Sequence, residues 1–535
     1  MEKSSNRLNR KLDILLAIPP PFWTKMPHLG VAYLDTFLKK NGVNCGVYDL
    51  NLVLYNQIPQ ELMPYWGIGC LNHYRASEIS SKINDYFQEQ IKTFVDDVIN
   101  SDIPIIGFSV NVISIFTANE IARLIKLKDK NRKIIFGGPA VFFKTHRKLI
   151  NPCFADFFVI GEGEYALLNL LNMFKDNKPI QNGRGVLLGE DYARYDVLPE
   201  DSITNLDVIP FPDFAEFNLQ EYNNGAGRRL PLLFSRGCIG RCSYCVDCIM
   251  WPKYRYRSPE NIFQEMRYHI DINKADAFDI NDLACNGDIK KLSKFCNLVI
   301  ESGLKIPAWA SYALIRKDMS PEAFVLLKKA NCHTLIYGLE SGSDNVLKRM
   351  HKIYTAEDAQ RIICLTHEAG ILTNVNIIVG FPGETGKDFQ ATKDFIYRNR
   401  KYIDEVTNVS SFVLFPDADV GRNRDDYGII WQEGTEPILC RDRSGLDYHK
   451  RAKRVEEMVK FLDGIGLRKA IINKPEVKKA DADNVIVRGK ENKRVPAKLF
   501  FKLIVTLLFL FSALIIETYL YFAKKIRGTV IFPGG

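Results

Sequence analysis

Three cysteines stand close together in the run Cys238-Ile-Gly-Arg-Cys242-Ser-Tyr-Cys245. A thiolate is a soft ligand, and three at the spacing C-x3-C-x2-C can wrap one face of an iron–sulfur cubane, each taking one iron. The fourth iron is then left open to a substrate or a cofactor, which suits chemistry better than electron storage. A structural zinc site would want four ligands, usually in pairs, and no matching second pair lies near this run. Cys248 follows as a further thiol, expected to be free or structural.

The chain around this run has 535 residues, of which 46% are apolar and 25% charged. That composition excludes disordered, collagenous and disulfide-stapled classes, and the length points to about two to four domains. Lys plus Arg (72) exceed Asp plus Glu (63) by nine, too mild an excess to call for nucleic acid. Twelve cysteines are too sparse for a disulfide scaffold. The amino terminus, MEKSSNRLNRKLDILLAIPPP, is mostly polar up to Lys11 and lacks a long apolar stretch with a small-residue cleavage site. The bulk of the chain is therefore expected in the cytosol with reduced thiols.

Two α/β blocks must position the chemistry. In residues 1–180, apolar runs at 12–18, 45–51, 103–110, 133–138 and 156–164 alternate with helical patterns at 29–42, 77–100 and 117–130, which predicts a doubly wound parallel sheet. Gly107, Ser109, Gly137, Gly138, Gly161, Glu162 and Gly163 read as the carboxyl ends of its strands, where backbone N–H groups can approach a polar ligand. No G-x-G-x-x-G follows the first strand, so a nicotinamide site is disfavoured. Residues 181–227 read as a connector with a β-rich stretch, VIPFPDF. Residues 228–430 repeat strand and helix six times (LLFSRG, AFDIND, PAWASYA, TLIYGLES, LTNVNIIVGFPGE, VSSFVLF), which suggests a partial or full β/α barrel with its chemistry at the strand carboxyl ends.

Residues 431–496 read as a small, charged helical region. Leu503 to Phe522 is a run of 20 residues with one charge, Glu517, and basic flanks at Lys498, Lys502, Lys524, Lys525 and Arg527. Its length suits a bilayer, so residues 497–527 are expected to form a membrane-associating helix, spanning or interfacial.

The motif C-x3-C-x-aromatic-C after the first strand of a barrel resembles the radical S-adenosylmethionine superfamily. The amino-terminal signals P-x-LG-x-AYL, GFS, GGP and GEGE, followed by IPFPDF, are similar to its cobalamin-binding branch over roughly residues 12–420. The resemblance implies a cobalamin-binding-type domain, then a radical S-adenosylmethionine partial barrel. It implies a [4Fe-4S] cluster on Cys238, Cys242 and Cys245, with S-adenosylmethionine on the open iron and cobalamin in the first domain. It further implies that Tyr244 packs on the adenine, that Asp282, Ser311, Glu340, Ser341 and Gly380, with Glu384, hold S-adenosylmethionine, and that the first-domain strand-end residues face cobalamin. Asn281-Asp282 stands where the usual G-G-E would be. The D-x-H-x-x-G axial-ligand motif is absent, and His28 reads as loop packing rather than as a cobalt ligand.

The implied chemistry is a 5′-deoxyadenosyl radical that activates an unreactive carbon for methylation, ring formation or oxidation, fed by an electron donor such as flavodoxin or ferredoxin. The tail would hold the enzyme at the cytosolic face of a membrane and favour a lipidic substrate over another small molecule. Two other classes compete. A methylthiotransferase acting on RNA or protein needs a second cluster, yet Cys45 and Cys153 fall near strand starts. A non-catalytic cobalamin sensor would not need the cysteine triad with Glu340 and VGFPGE. The run WPKYRYRSP (251–259) could stack on bases but reads as the lead into the first barrel helix, so nucleic acid is not expected.

Overall fold

The computed structural model describes residues 8, 10–66, 76–183, 185–192, 202–432 and 439–473, and the chain divides into two compact units at Arg228/Arg229. The first unit is built on β1 (Ile14–Ala17), β2 (Cys45–Tyr48), β3 (Ile105–Ser109), β4 (Lys133–Gly137), β5 (Phe157–Val159) and β6 (Val186–Leu188). Their order is β2-β1-β3-β4-β5-β6, with β6 antiparallel on the edge and the rest parallel. The strands are almost wholly buried, as short uninterrupted apolar runs covered on both faces must be. The chain order reverses at β1, which places a crevice between the carboxyl ends of β1 and β3.

The helix Leu29–Lys40 ends at Asn41, and Gly42 follows in the left-handed region (φ +79°), the stop expected from its sequence. The polar insertion is two helices, Ala76–Tyr86 and Gln88–Asn100. VIPFPDF forms no strand; its two prolines lack the N–H groups a ladder requires, and it runs as a short turn followed by coil. This stretch belongs to the first unit. The Asp213 amide donates to Thr36 Oγ1 at 2.7 Å, and Glu216 pairs with Arg10 (2.8 Å) and Lys39 (2.9 Å).

The second unit is an open parallel sheet of seven strands, in the order β17-β14-β13-β12-β11-β10-β7. These are β7 (Arg229–Leu232), β10 (Ala277–Ile280), β11 (Ala308–Ala313), β12 (Cys332–Glu340), β13 (Leu372–Val379), β14 (Glu405–Ser411) and β17 (Arg468–Asn473). A separate ribbon pairs β8 (Ser235–Arg236) with β9 (Arg255–Tyr256), and another pairs β15 (Ile429–Ile430) with β16 (Arg441–Asp442). Among the described residues β7 and β17 each pair on one side only, so the barrel is partial. The segment after 430, read as helical, supplies both the helix Tyr448–Gly464 and β17. Helices that cover the outer face carry their own start signals: Thr355 with Asp358 and Thr385 with Asp388 form capping boxes.

Among the described residues no helix is long and apolar enough to cross a membrane, and Leu503–Phe522 lies outside them.

Candidate active site

The cysteine loop leaves and re-enters the second unit through the β8–β9 ribbon, where Ser235 faces Tyr256 and Arg236 faces Arg255. LLFSRG is thus not one strand. The barrel strand is RLPL, and SRG belongs to the clamp at the base of the loop. Gly237 turns there at φ +91°, and a Cβ on it would fall 2.6 Å from Lys253 O, so only glycine fits. Arg241 ties the loop to itself, donating to Cys238 O (2.8 Å), Gly240 O (3.1 Å) and Pro252 O (3.0 Å). The aromatic and basic run 251–259 is folded into this clamp: Tyr256 and Arg257 are buried, and Arg257 donates to Leu233 O at 2.8 Å.

Gly240 leaves room between two thiols. Its amide donates to Cys238 Sγ at 3.3 Å, and a Cβ there would lie 3.4 Å from Cys238 Sγ and 3.8 Å from Cys242 Sγ. Cys245 Sγ reaches Asp247 Oδ2 at 3.5 Å. Burial pushes the Cys238 thiol up to about 11, raises that of Cys245 well above its ordinary value, and lifts the Asp247 carboxyl to about 6. Among the described residues no three His, Cys, Asp or Glu side chains converge on a single-ion position. Three thiols on one loop, with a glycine between two of them, suit a polynuclear cluster that takes one thiolate per iron. Cys248 donates to Cys245 O at 3.2 Å, turning into its own backbone.

The loop is docked onto the segment after β12. Ser243 N donates to Met350 O and Ser243 Oγ to Arg349 O, both at 3.0 Å, while Ser243 O accepts from Val420 N at 2.9 Å. Next to it, Tyr244 Oη donates to Glu340 Oε1 at 2.9 Å, and Lys352 Nζ lies 3.2 Å from the same oxygen and 3.2 Å from Gly338 O. Lys352 Nζ also sits 5.5 Å from the centre of the Tyr244 ring. Glu340 ends β12 at φ +59°, a costly conformation for a non-glycine residue, held by these two partners. Sequence reasoning missed Lys352: one lysine among many carries no local sign that it is buried and paired.

The other expected contacts are distributed. Asp282, just past β10, accepts from Phe234 N (2.7 Å) and Ser235 Oγ (2.5 Å), so it braces the clamp, and burial raises its carboxyl to about 7. Ser311 Oγ bonds Ile280 O and Tyr312 O at 3.4 and 3.1 Å. Ser341 Oγ meets Thr392 Oγ1 of a covering helix at 2.9 Å. Gly380 turns at φ +78° after β13 and its amide donates to Glu384 Oε2 at 2.7 Å. Burial lifts the Glu384 carboxyl to about 7 against the opposing pull of Arg454, which bonds it at 2.5 Å. Tyr337 bonds Thr366 of a covering helix, so Ile336 and Gly338 point the other way, into the barrel. Tyr312 stands beside Ile336 and Asn376 beside Gly338 in the register. Tyr312 Oη and Asn376 Oδ1 are buried with no hydrogen-bond partner among the described residues, as a polar ligand would require.

In the first unit, Ser109 ends β3 and Gly137 ends β4, and Gly138 (φ +93°) could not carry a Cβ, which would meet Val110 O at 2.7 Å. Gly161 turns at φ +83° after β5, and Glu162 Oε2 accepts from Ile203 N at 2.8 Å. Gly107 departs from the expected edge. It lies inside β3, where a Cβ would press on Leu16 Cδ2 at 3.0 Å, so its role there is packing. His28 Nδ1 accepts from Val31 N at 3.2 Å, capping the helix Leu29–Lys40, and its Nε2 faces Ser109 Oγ at 3.3 Å. Both ring nitrogens are thereby engaged. Cys45 is buried at the start of β2 and Cys153 sits in the turn ahead of β5; Cys70 lies outside the described residues.

Residues 232–396 match the radical SAM superfamily, SAM being S-adenosylmethionine. The chain is 25% identical over 344 residues to an uncharacterized methyltransferase of Pyrococcus horikoshii, covering 62% of this chain and 72% of that one. It is 24% identical over 350 residues to the anaerobic magnesium-protoporphyrin IX monomethyl ester cyclase of Rubrivivax gelatinosus, covering 64% of this chain and only 61% of that enzyme's length. Among solved structures it is similar to the radical S-adenosylmethionine methyltransferase TsrM of Kitasatospora setae with cobalamin and a [4Fe-4S] cluster bound. The TM-score is 0.61 at 18% identity, covering 79% of each chain. The chain carries a radical SAM domain over residues 232–396 and shares its α/β fold with that solved structure.

Proposed function

We propose that the chain methylates an unactivated carbon of its substrate, using a [4Fe-4S] cluster on Cys238, Cys242 and Cys245 together with S-adenosylmethionine and cobalamin. The observation that carries this reading is the glycine-hinged loop of three unpaired cysteines locked against Glu340 and Lys352. When bound, the cluster and S-adenosylmethionine supply a carbon-centred radical and cobalamin supplies a methyl group. This chain's own share is placement. The β8–β9 clamp fixes the thiols, Tyr244 and Lys352 orient the Glu340 carboxylate, and Tyr312 and Asn376 offer unpaired polar atoms inside the barrel. Asp282, Ser311, Ser341 and Gly380 shape the strand ends around them. In the first unit Ser109, Gly137, Gly138, Gly161 and Glu162 form the edge we assign to cobalamin.

A lipidic or membrane-bound substrate, a cytosolic membrane-face location and a flavodoxin- or ferredoxin-type electron donor complete the proposal. The substrate class and location rest on the sequence of Leu503–Phe522, and the donor on the family chemistry. Ring formation is the second reading, favoured by the match to the cyclase. The test is anaerobic reconstitution of the wild type and the Cys238→Ala/Cys242→Ala/Cys245→Ala variant. About four irons per chain, bound cobalamin, and 5′-deoxyadenosine released under reductant by the wild type alone are expected. Zinc uptake, or no deoxyadenosine, overturns the reading.

A further inference from the structure

We propose that Lys352 is a fixed cation that tunes the electron affinity of the cluster on Cys238, Cys242 and Cys245, an inference that rests on the cluster-binding reading above. The cysteine loop is fastened by Ser243 to the carbonyls of Arg349 and Met350, so the chain two residues later brings Lys352 against the loop. The side chain is 7% exposed, and its ammonium lies against Glu340, Gly338 O and the Tyr244 ring, between Cys242 and Cys245 in the sequence. The Glu340 carboxylate at 3.2 Å compensates the buried ammonium, and the ring of Tyr244 in the cysteine loop lies 5.5 Å from it.

A counter-ion for Glu340 alone would need only the Glu340 contact. Lys352 instead faces both a carboxylate and the thiol loop, in a setting where water screens little. Taking one electron from an external low-potential donor carries the cluster core from 2+ to 1+, with no bond made or broken and no proton moved from Lys352. The added negative charge is favoured by a nearby cation and disfavoured by a nearby anion. Lys352 and Glu340 must therefore push the potential in opposite directions. General damage to the site would not produce that sign pattern.

The experiment is a dithionite titration of the anaerobically reconstituted full chain, followed by electron paramagnetic resonance, with iron content measured for each variant. At the point where the wild type is half reduced, Lys352→Met is expected to show a reduced-to-oxidised ratio about tenfold lower, equivalent to about 59 mV for one electron. Glu340→Gln is expected to shift the ratio upward, and Lys352→Arg to stay within about threefold of the wild type, since it keeps the charge. Should Lys352→Met fail to take up iron because Glu340 is left alone, the Lys352→Met/Glu340→Gln double variant carries the test and should sit about tenfold below Glu340→Gln. Equal ratios in wild type and Lys352→Met, or a common direction of shift for Lys352→Met and Glu340→Gln, overturn the inference about Lys352 while four irons still bind. A wild type that takes up no cluster overturns the function reading beneath it.

Discussion

The hydroxyl of Tyr244 donates to Oε1 of Glu340 at 2.9 Å across 96 residues of sequence, binding the cysteine loop to the end of β12. A buried hydrogen bond to a carboxylate contributes about 1–3 kcal/mol, and the loss is greatest when the acceptor is left behind. Tyr244→Phe keeps the ring against Phe381 and Lys352 but removes that donor. It is expected to destabilise the protein by about 1–3 kcal/mol in guanidinium unfolding while iron uptake after reconstitution stays near that of the wild type. Unchanged stability would mean that Lys352 alone holds Glu340.

Gly237 tests the clamp. A methyl group there would meet Lys253 O at 2.6 Å, and the residue would also have to hold φ +91°. Backbone cannot yield as a side-chain tip can, so Gly237→Ala must either strain the turn by about 1–3 kcal/mol or open the β8–β9 ribbon. The expected outcome is reduced iron content after reconstitution, with the far-ultraviolet circular dichroism unchanged. Gly303→Ala, at a glycine with open space around it but likewise at positive φ, controls for backbone strain without the clash. If the two variants bind iron equally well, the close approach to Lys253 is not what shapes the loop.

The cysteine loop was legible because its three cysteines are local: spacing within one short run needs no knowledge of the fold. The strands β1, β3 and β4 were legible for a similar reason, since an apolar run buried on both faces has no other stable place. β7 was missed as RLPL because an arginine and a proline argue against a strand. It is an edge strand, where Pro231 costs no central ladder bond and Arg229 finds Asp279 at 2.6 Å. β17 lay hidden in a charged segment because its partner, β14, is more than fifty residues earlier, a pairing only the tertiary fold reveals. Lys352 and Arg451 were invisible for the same cause: long basic side chains read as solvated until a fold surrounds them.

Arg451, on the helix Tyr448–Gly464, is completely buried and donates to Gly380 O at 2.9 Å and to Cys440 O at 2.5 Å. Its stem lies where a Cβ on Gly380 would be, 2.5 Å from Arg451 Cγ. The helix after residue 430 therefore seats the GFPGE loop. Arg451→Met keeps much of the volume but strands two buried carbonyls, and a loss of about 2–4 kcal/mol is expected. Limited proteolysis should cut the variant near Gly380 faster than the wild type. Equal cutting would show that the Gly380–Glu384 bond and Arg454 are enough to hold the loop.

His28 gives the first unit a measurable pH dependence. Burial lowers its pKa from 6.5 to about 4, and with Nδ1 accepting from Val31 N the neutral ring must carry its proton on Nε2, toward Ser109 Oγ. The unfolded chain therefore binds a proton at His28 before the folded one does. Its contribution is fully present above pH 6.5 and is lost progressively as the pH falls toward 4, by about 2 kcal/mol at pH 5. His146, also buried and lowered to about 4, with Arg147 adding to the effect of burial, loses stability over the same window. In His28→Asn the asparagine can still cap the helix but does not titrate, so the stability of the wild type relative to this variant should fall by about 2 kcal/mol between pH 7.5 and 5. Guanidinium unfolding of both proteins at the two pH values checks this. Parallel losses in wild type and variant would mean that His28 is not buried as a neutral cap.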